Sequence, residues 1–313
     1  MSDKKFKKIH MIIDFQYLYY RCFFGLKAGR MKKLSCEVDG EKIDTSEMYY
    51  VMSYIEASRK AFENSCEELT VSICFDSKNN KRKEDENYKA NRDNKAEENK
   101  LSESDFEKID RIRELCRSIG YNIYKKEGYE ADDLVASLVK KYKDDYDYTV
   151  IYTTDKDLLI NICDNVGAMR YKTSLKSHMA INKEKYSDVL SKEFKCTLPY
   201  NSIGLYLSLV GDNSDNIKGV KGFGPKAFDK FVNLLSAQGK TFDGLGDYDK
   251  VEETIKENAG LINTAKNPNA VEQALESLSL VRSLYIEVEK PIKKDTDESR
   301  KEAFHKYSIR LGD

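Results

Sequence analysis

An α/β fold with a mostly parallel central sheet, followed by a smaller helical region, is what the sequence predicts. Three observations lead there. Short, continuous apolar runs at 9–13, 69–75 and 148–152 have the character of strands buried on both faces. Between them lie amphipathic helical stripes, and such alternation implies parallel strands joined by right-handed crossovers. From Pro199 onward the patterning is helical.

The elements follow in order. The first run ends at Asp14 and the second at Asp76. Residues 78–100 carry charges of both signs and almost no large apolar side chain except Tyr88. Such a segment buries no core face and is expected to be mobile or weakly helical when free, a solvated insertion on composition alone. Phe106, Ile109, Ile112, Leu115, Cys116 and Ile119 form a helical stripe, opened by Ser102 and Asp105 and stopped by Gly120. A short strand at 121–124 leads to Glu130-Ala131-Asp132-Asp133, which opens a helix with an apolar face of Leu134, Val135, Leu138, Val139 and Tyr142. The strand at 148–152 runs into Thr153-Thr154-Asp155-Lys156-Asp157. A helix at 200–210 precedes a block of acids and glycines, and Phe228, Phe231, Val232 and Leu235 give the apolar face after it. Residues 239–246 read as a loop and 251–284 as mostly helical. The tail from Lys290 is charged, with Phe304, Tyr307 and Ile309 as anchors, and reads as a solvated end. The expected division is 1–198, 199–290 and 291–313.

Composition narrows the class. With 313 residues the chain can bury a full α/β core and a second region. No apolar stretch is long enough to span a bilayer, and the charged start lacks the apolar segment of a signal peptide, so a cytoplasmic protein is expected. Seven scattered cysteines without a CxxC pair favour free thiols, and the three histidines show no metal-ligand spacing. The formal net charge of −1 is not that of a generally basic nucleic-acid binder, so any such binding must rest on local patches.

The acids carry the chemistry. Ligand sites of open α/β sheets lie at the carboxyl ends of strands. That rule would bring Asp14, Asp76, Asp155 and Asp157 toward one crevice, with Glu130, Asp132 and Asp133 at a helix start. Taken singly, each acid also reads as a helix cap or capping turn. Taken together they repel, by roughly 1 kcal/mol per pair at about 4 Å even in bulk water. Divalent cations make such a cluster tolerable, and hard oxygen ligands favour Mg²⁺ or Mn²⁺, ions that serve phosphodiester cleavage in pairs. The block from Gly211 to Ala227 adds Asp212 and Asp215, a turn with Gly219, Gly222 and Gly224, and lysines at 218, 221, 226 and 230. A glycine turn between helices can aim N–H groups at a phosphate, or can be a plain helix–helix turn. Its glycines do not follow a strand, which excludes a dinucleotide fingerprint.

In these residues the sequence resembles the 5′ nuclease (flap endonuclease) family, and within it the stand-alone bacteriophage members described as ribonuclease H or 5′–3′ exonuclease. The match rests on Asp14, Phe75-Asp76, Tyr88-Lys89-Ala90-Asn91-Arg92, Glu130-Ala131-Asp132-Asp133, Asp155-Lys156-Asp157 and the block 211–227, in family order. Phe15-Gln16 and Thr154 depart from it, at places where many relatives have glycine. The resemblance implies a PIN-like 5′ nuclease core, a charged arch at about 78–104 and a helix–hairpin–helix at about 211–232. It implies that Asp14, Asp76, Glu130 and Asp132, with Asp133 near, hold one Mg²⁺, and that Asp155, Asp157, Asp212 and Asp215 serve a second; Mn²⁺ can substitute. Lys89 and Arg92 would contact the scissile phosphate, and Tyr88 would stack on a base or pack at the arch base. Lys218, Gly219, Lys221, Gly222, Gly224 and Lys226 would bind DNA, with K⁺ a candidate at the hairpin. The expected substrates are DNA with a 5′ flap, nick or RNA primer, cut by a monomer that removes primers in phage replication. A single-stranded-DNA-binding protein or a polymerase would act in trans, and no membrane is involved. A PIN-like endoribonuclease and a non-catalytic branched-DNA binder are the rival readings.

Overall fold

The computed structural model describes residues 5–38, 40–77, 100–172, 177–242, 244–263 and 266–310. The arch segment 78–99, and with it Tyr88, Lys89 and Arg92, lies outside the described residues. The described chain forms two compact units. One contains 5–77, 100–153 and 286–310, the other 154–285. The division thus falls after Thr153, not near residue 198.

In the first unit β1 (Phe6–Asp14) leads directly into α1 (Phe15–Lys27). A hairpin of β2 (Ser35–Val38) and β3 (Glu41–Asp44) follows, then α2 (Ser46–Glu63) and β4 (Cys66–Cys74). Next come α3 (Glu103–Ile119), β5 (Asn122–Tyr124), α4 (Ala131–Tyr142) and β6 (Tyr148–Tyr152). The strands β5, β4, β1 and β6 lie side by side in that order, all parallel. Ile13 pairs with Ile73 on one side and Tyr152 on the other, and Asp14 pairs with Cys74. This register sets the carboxyl ends of three strands level with one another. Met11, Ile12, Ile13, Val71 and Ile151 fill the sheet's core. His10 is a core residue too. It sits 2.7 Å from Ser72 Oγ and stacks on Tyr146, and burial pushes its pKa down to about 3, so it stays neutral.

The helix α3 starts and stops where the sequence indicates. Ser102 Oγ accepts from the Asp105 N–H, and Asp105 Oδ2 accepts from the Ser102 N–H at 2.9 Å. Gly120 closes the helix with φ +101°, and a Cβ there would meet the Asp295 backbone at 2.9 Å. Ser102→Ala should cost about 1 kcal/mol, as loss of an N-cap does. Calorimetry should show a melting point lower by about 2 °C.

The second unit runs from Thr154 through Asp155 to a 3-10 turn at Asp157–Asn161, then pairs β7 (Val166–Lys172) and β8 (Ser177–Ile181) antiparallel. It continues through α5 (Lys183–Phe194), α6 (Ile203–Val210), α7 (Pro225–Ala237), α8 (Tyr248–Glu257), α9 (Ala259–Ile262) and α10 (Ala270–Val281). Helix α6 is buried along almost its whole length, which is why its sequence is apolar all round. Around it pack Phe228, Phe231, Val232, Tyr248, Val251, Ala274 and Leu278. The antiparallel pairs β2–β3 and β7–β8 were not anticipated. β2 and β3 are four residues each and carry no buried side chain, so they lack the apolar run that marks a strand.

From Ile286 the chain returns to the first unit. The solvated-tail reading is therefore corrected. Tyrosine hydroxyls hold its backbone: Tyr142 donates to Val288 O and Tyr124 to Glu289 O, each at 2.9 Å. The Asn122 amide exchanges two hydrogen bonds with the Ile292 backbone. The final helix α11 (Asp297–Lys306) is capped by Thr296 and buries Arg300, which pairs with the buried Asp295. Charge misled the sequence reading here, because the two most deeply placed charges neutralise each other.

Candidate functional site

The first unit presents five of the predicted acids. Asp14 closes β1 and accepts a hydrogen bond from Thr153 Oγ1 at 2.9 Å, so the ends of β1 and β6 are tied. Asp76 Oδ1 accepts from the Ala131 N–H at 2.7 Å and thereby sits on the first turn of α4. Glu130 is the N-cap of that helix, and its N–H donates to Asp133 Oδ2 at 3.2 Å. Asp133 is fully buried, Glu130 nearly so, and Asp132 is partly exposed. The Cys74 thiol reports their proximity. Its pKa is pushed well up, first by burial and then by the carboxylates of Asp14, Asp132 and Asp76. Phe15, where the resemblance would favour glycine, is buried and stacks on Phe75 at 4.2 Å between ring centres. The departure from the motif fills the core behind the acids.

The second unit gathers the other four. Asp155 Oδ1 accepts from the Asp157 N–H at 3.0 Å, a turn that sets both acids on one bend. Asp212 and Asp215 are buried. Lys156 Nζ lies 2.6 Å from Asp212 Oδ2, and Ser214 donates to Asp212 Oδ1 through both its N–H and its hydroxyl. Burial pushes the Asp212 pKa up, yet the bonds from Lys156 and Ser214 outweigh it and hold the carboxyl below its ordinary value. Asp157 is the opposite case. Burial raises its pKa most, the charges of Asp155, Asp215 and Asp212 add to that, and Lys156 only partly offsets them. Its Oδ1 is buried and has no hydrogen-bond partner among the described residues.

These are hard oxygen donors with surplus negative charge, and they fit a divalent cation. A buried carboxylate oxygen without a donor costs about 1–3 kcal/mol or more, which a cation would relieve. Among the described residues no three or more His, Cys, Asp or Glu side chains are already arranged to hold a metal.

The glycine block joins α6 to α7. Asp212 and Ile217 exchange two backbone hydrogen bonds, of 2.7 and 2.8 Å, and Val220 N donates to Leu209 O. At Gly211 (φ +89°) a Cβ would lie 2.5 Å from Ile217 O, and at Gly219 (φ +62°) 2.5 Å from the Gly211 nitrogen. Gly222 (φ +84°) and Gly224 face open space. The Gly219 N–H donates to Ser277 Oγ and the Lys221 N–H to Gln273 Oε1, both on α10. Those two N–H groups therefore secure the hairpin internally. Gly222 and Gly224 have no protein acceptor for their N–H among the described residues, and they lie just ahead of α7 with Pro225 at its first position. Lys218, Lys221, Lys226 and Lys230 are all exposed around this turn.

Residues 9–191 match the model of the 5′–3′ exonuclease N-terminal, resolvase-like domain. The chain belongs to this family. Its relatives include the DNA polymerase I of Caldicellulosiruptor bescii, 29% identical over 253 residues, which is 79% of this chain but 26% of that protein. The 5′–3′ exonuclease of Mycoplasma pneumoniae is 30% identical over 200 residues, or 64% of this chain and 65% of that one. The chain thus spans about a quarter of the polymerase and just under two thirds of the exonuclease. Among solved structures it resembles a bacteriophage T5 flap endonuclease in a pseudo-enzyme-product complex with DNA and metal ions. There the TM-score is 0.60 with 21% identity, covering 87% of this chain and 88% of that one. That likeness is one of fold, and it agrees with the mixed α/β architecture and its mostly parallel sheet.

Within this family member, several contributors escaped the sequence reading. Thr153 anchors Asp14, Ser214 and Lys156 hold Asp212, and Ser277 and Gln273 hold the hairpin. Lys156 and Ser214 stand inside the acidic motifs and were open to notice. Ser277 and Gln273 lie more than 50 residues from the hairpin on an ordinary helix, and no local signal marks them.

Proposed function

We propose that the chain is a divalent-metal-dependent 5′ nuclease, acting as a 5′–3′ exonuclease and flap endonuclease on DNA. The observation that carries this reading is Asp157, with a buried carboxylate oxygen lacking a donor amid three further acids of its own unit. In this reading Asp14, Asp76, Glu130 and Asp132, with Asp133 near, hold one Mg²⁺, and Asp155, Asp157, Asp212 and Asp215 hold or outer-shell a second; Mn²⁺ substitutes. Such ions, when bound, lower the pKa of a water and neutralise charge on the departing 3′ oxygen.

The chain's own groups do the rest. Thr153 fixes one Asp14 oxygen and with it the orientation of the carboxylate. Lys156 keeps Asp212 ionised and so ready as a ligand. Gly222 and Gly224, with the N-terminal end of α7, offer N–H groups to a phosphate, while Lys218, Lys221 and Lys226 supply charge beside them. Gly219 would shape the turn and not touch DNA. A K⁺ held at the hairpin would add positive charge beside these N–H groups and belongs to the same proposal. Backbone contacts of this kind set register on a duplex without reading bases. Lys89 and Arg92 would stabilise charge on the scissile phosphate, and Tyr88 would stack on a terminal base.

The substrates proposed are 5′ flaps, nicks and RNA-primed fragments. Primer removal in the cytoplasm by a monomer, with a polymerase or single-stranded-DNA-binding protein in trans, completes the reading. Incubation with 5′-labelled flap, nicked and single-stranded substrates should give products from the 5′ end in Mg²⁺ and none in EDTA. Cleavage that persists in EDTA, or no cleavage of any substrate, refutes the assignment. The hairpin has its own check. Replacing Lys221 and Lys226 by Ala should weaken duplex binding for all sequences and reduce the salt slope by about two at most. Turnover at saturating substrate should stay near wild type.

A further inference from the structure

A groove of about 1230 Å³ opens in the first unit, walled by α2, the β2–β3 hairpin and α11. None of these elements carries a proposed metal ligand or a hairpin residue. The volume exceeds the roughly 300–1,000 Å³ usual for small-molecule pockets and suits a polypeptide segment. Tyr49, Phe304 and Ile309 give it an apolar lining. Charge on its rim is mostly positive, with Glu37 and the Arg300-paired Asp297 as its exposed acids. Lys60 from α2, and Lys301, Lys306 and Arg310 from α11 and just beyond, are exposed, and none has a carboxylate partner among the described residues. The deeper cations differ, because Arg59 is held by Glu56 and Glu63, and Arg300 by Asp295 and Asp297. A net charge of −1 for the whole chain makes this excess of positive charge a local feature.

We infer that this groove docks an acidic segment of another protein, one whose apolar side chains alternate with Asp or Glu. Apolar residues would seat against Tyr49, Phe304 and Ile309 while the segment's carboxylates meet the unpaired rim cations. Interfaces of this kind combine a buried apolar anchor with a polar rim whose charges steer approach. A single nucleic-acid strand fits less well. It brings a phosphate at every step and no aliphatic side chain to set against Tyr49, Phe304 and Ile309.

The test is a random twelve-residue peptide library displayed on phage, selected on the wild-type protein. Counter-selection uses the Lys301→Glu/Lys306→Glu/Arg310→Glu variant. Peptides enriched in Asp or Glu together with Phe, Leu or Ile are expected. A synthetic copy should bind the variant at least tenfold more weakly, and wild-type binding should weaken as salt rises. The variant's melting point should match wild type, because the three side chains are exposed, and flap cleavage should be unchanged. Lys60→Glu, on the opposite wall, should weaken the same peptide independently. Two results would overturn the inference: no peptide that distinguishes wild type from variant, or a labelled single-stranded oligonucleotide that loses affinity in the variant while the peptides do not.

Discussion

Asp157→Asn should move stability and activity in opposite directions. In the metal-free protein Asp157 adds a buried carboxylate to the field of Asp155, Asp215 and Asp212, and its Oδ1 has no donor among the described residues. Asparagine keeps the shape, removes the charge and brings a donor of its own. The melting temperature in EDTA should therefore rise by a degree or more, where most buried substitutions lower it. Activity should fall, because the same charge is what a divalent ion would meet. A loss of roughly 10²-fold or more in single-turnover flap cleavage is expected, the scale of removing one preorganised electrostatic group. Added Mg²⁺ should stabilise wild type more than the variant. A variant that is less stable in EDTA and cleaves at the wild-type rate would show that Asp157 is an ordinary structural acid.

Gly219→Ala should be strongly damaging for so small a change. Its backbone is left-handed, and a Cβ would press on the Gly211 nitrogen at 2.5 Å and on Leu209 O at 2.8 Å, neither of which is free to swing aside. The left-handed conformation alone costs about 1–2 kcal/mol for a non-glycine residue, and the clash adds to it. A total of roughly 2–4 kcal/mol is expected, lowering the melting point by about 5 °C or more. The displaced turn should also weaken the Gly219 N–H bond to Ser277 and with it the hairpin. Gly222→Ala gives the control. Its φ is also positive, yet nothing lies within 4 Å of the added carbon, so about 1 kcal/mol is expected. Equal melting points for the two variants would contradict this account of the turn.

Much of this fold was legible because local chemistry and tertiary role agree. The strand at Tyr148–Tyr152, the Ser102 cap and the Gly120 stop are each marked by residues whose own preferences select the observed conformation. The acids at strand ends were legible for the same reason, since a buried parallel strand must end where polar residues begin. What the sequence hid depends on distant partners. Tyr124 and Tyr142 look like core aromatics, and their roles lie at the ring tips, which hold carbonyls of a segment about 150 residues away. Asp295 and Arg300 look solvated until each is seen to neutralise the other. The Gly219 N–H looked available for phosphate and is bound to a serine on α10.

Each of the two acid groups, as a divalent-metal site, should take up one ion. Electron paramagnetic resonance of Mn²⁺ titrated into wild type, Asp14→Asn and Asp157→Asn counts bound ions without relying on cleavage. Two ions per wild-type chain and one in each variant are expected, with all three proteins folded by circular dichroism. No bound ion in wild type, or the same count in all three proteins, would contradict this expectation.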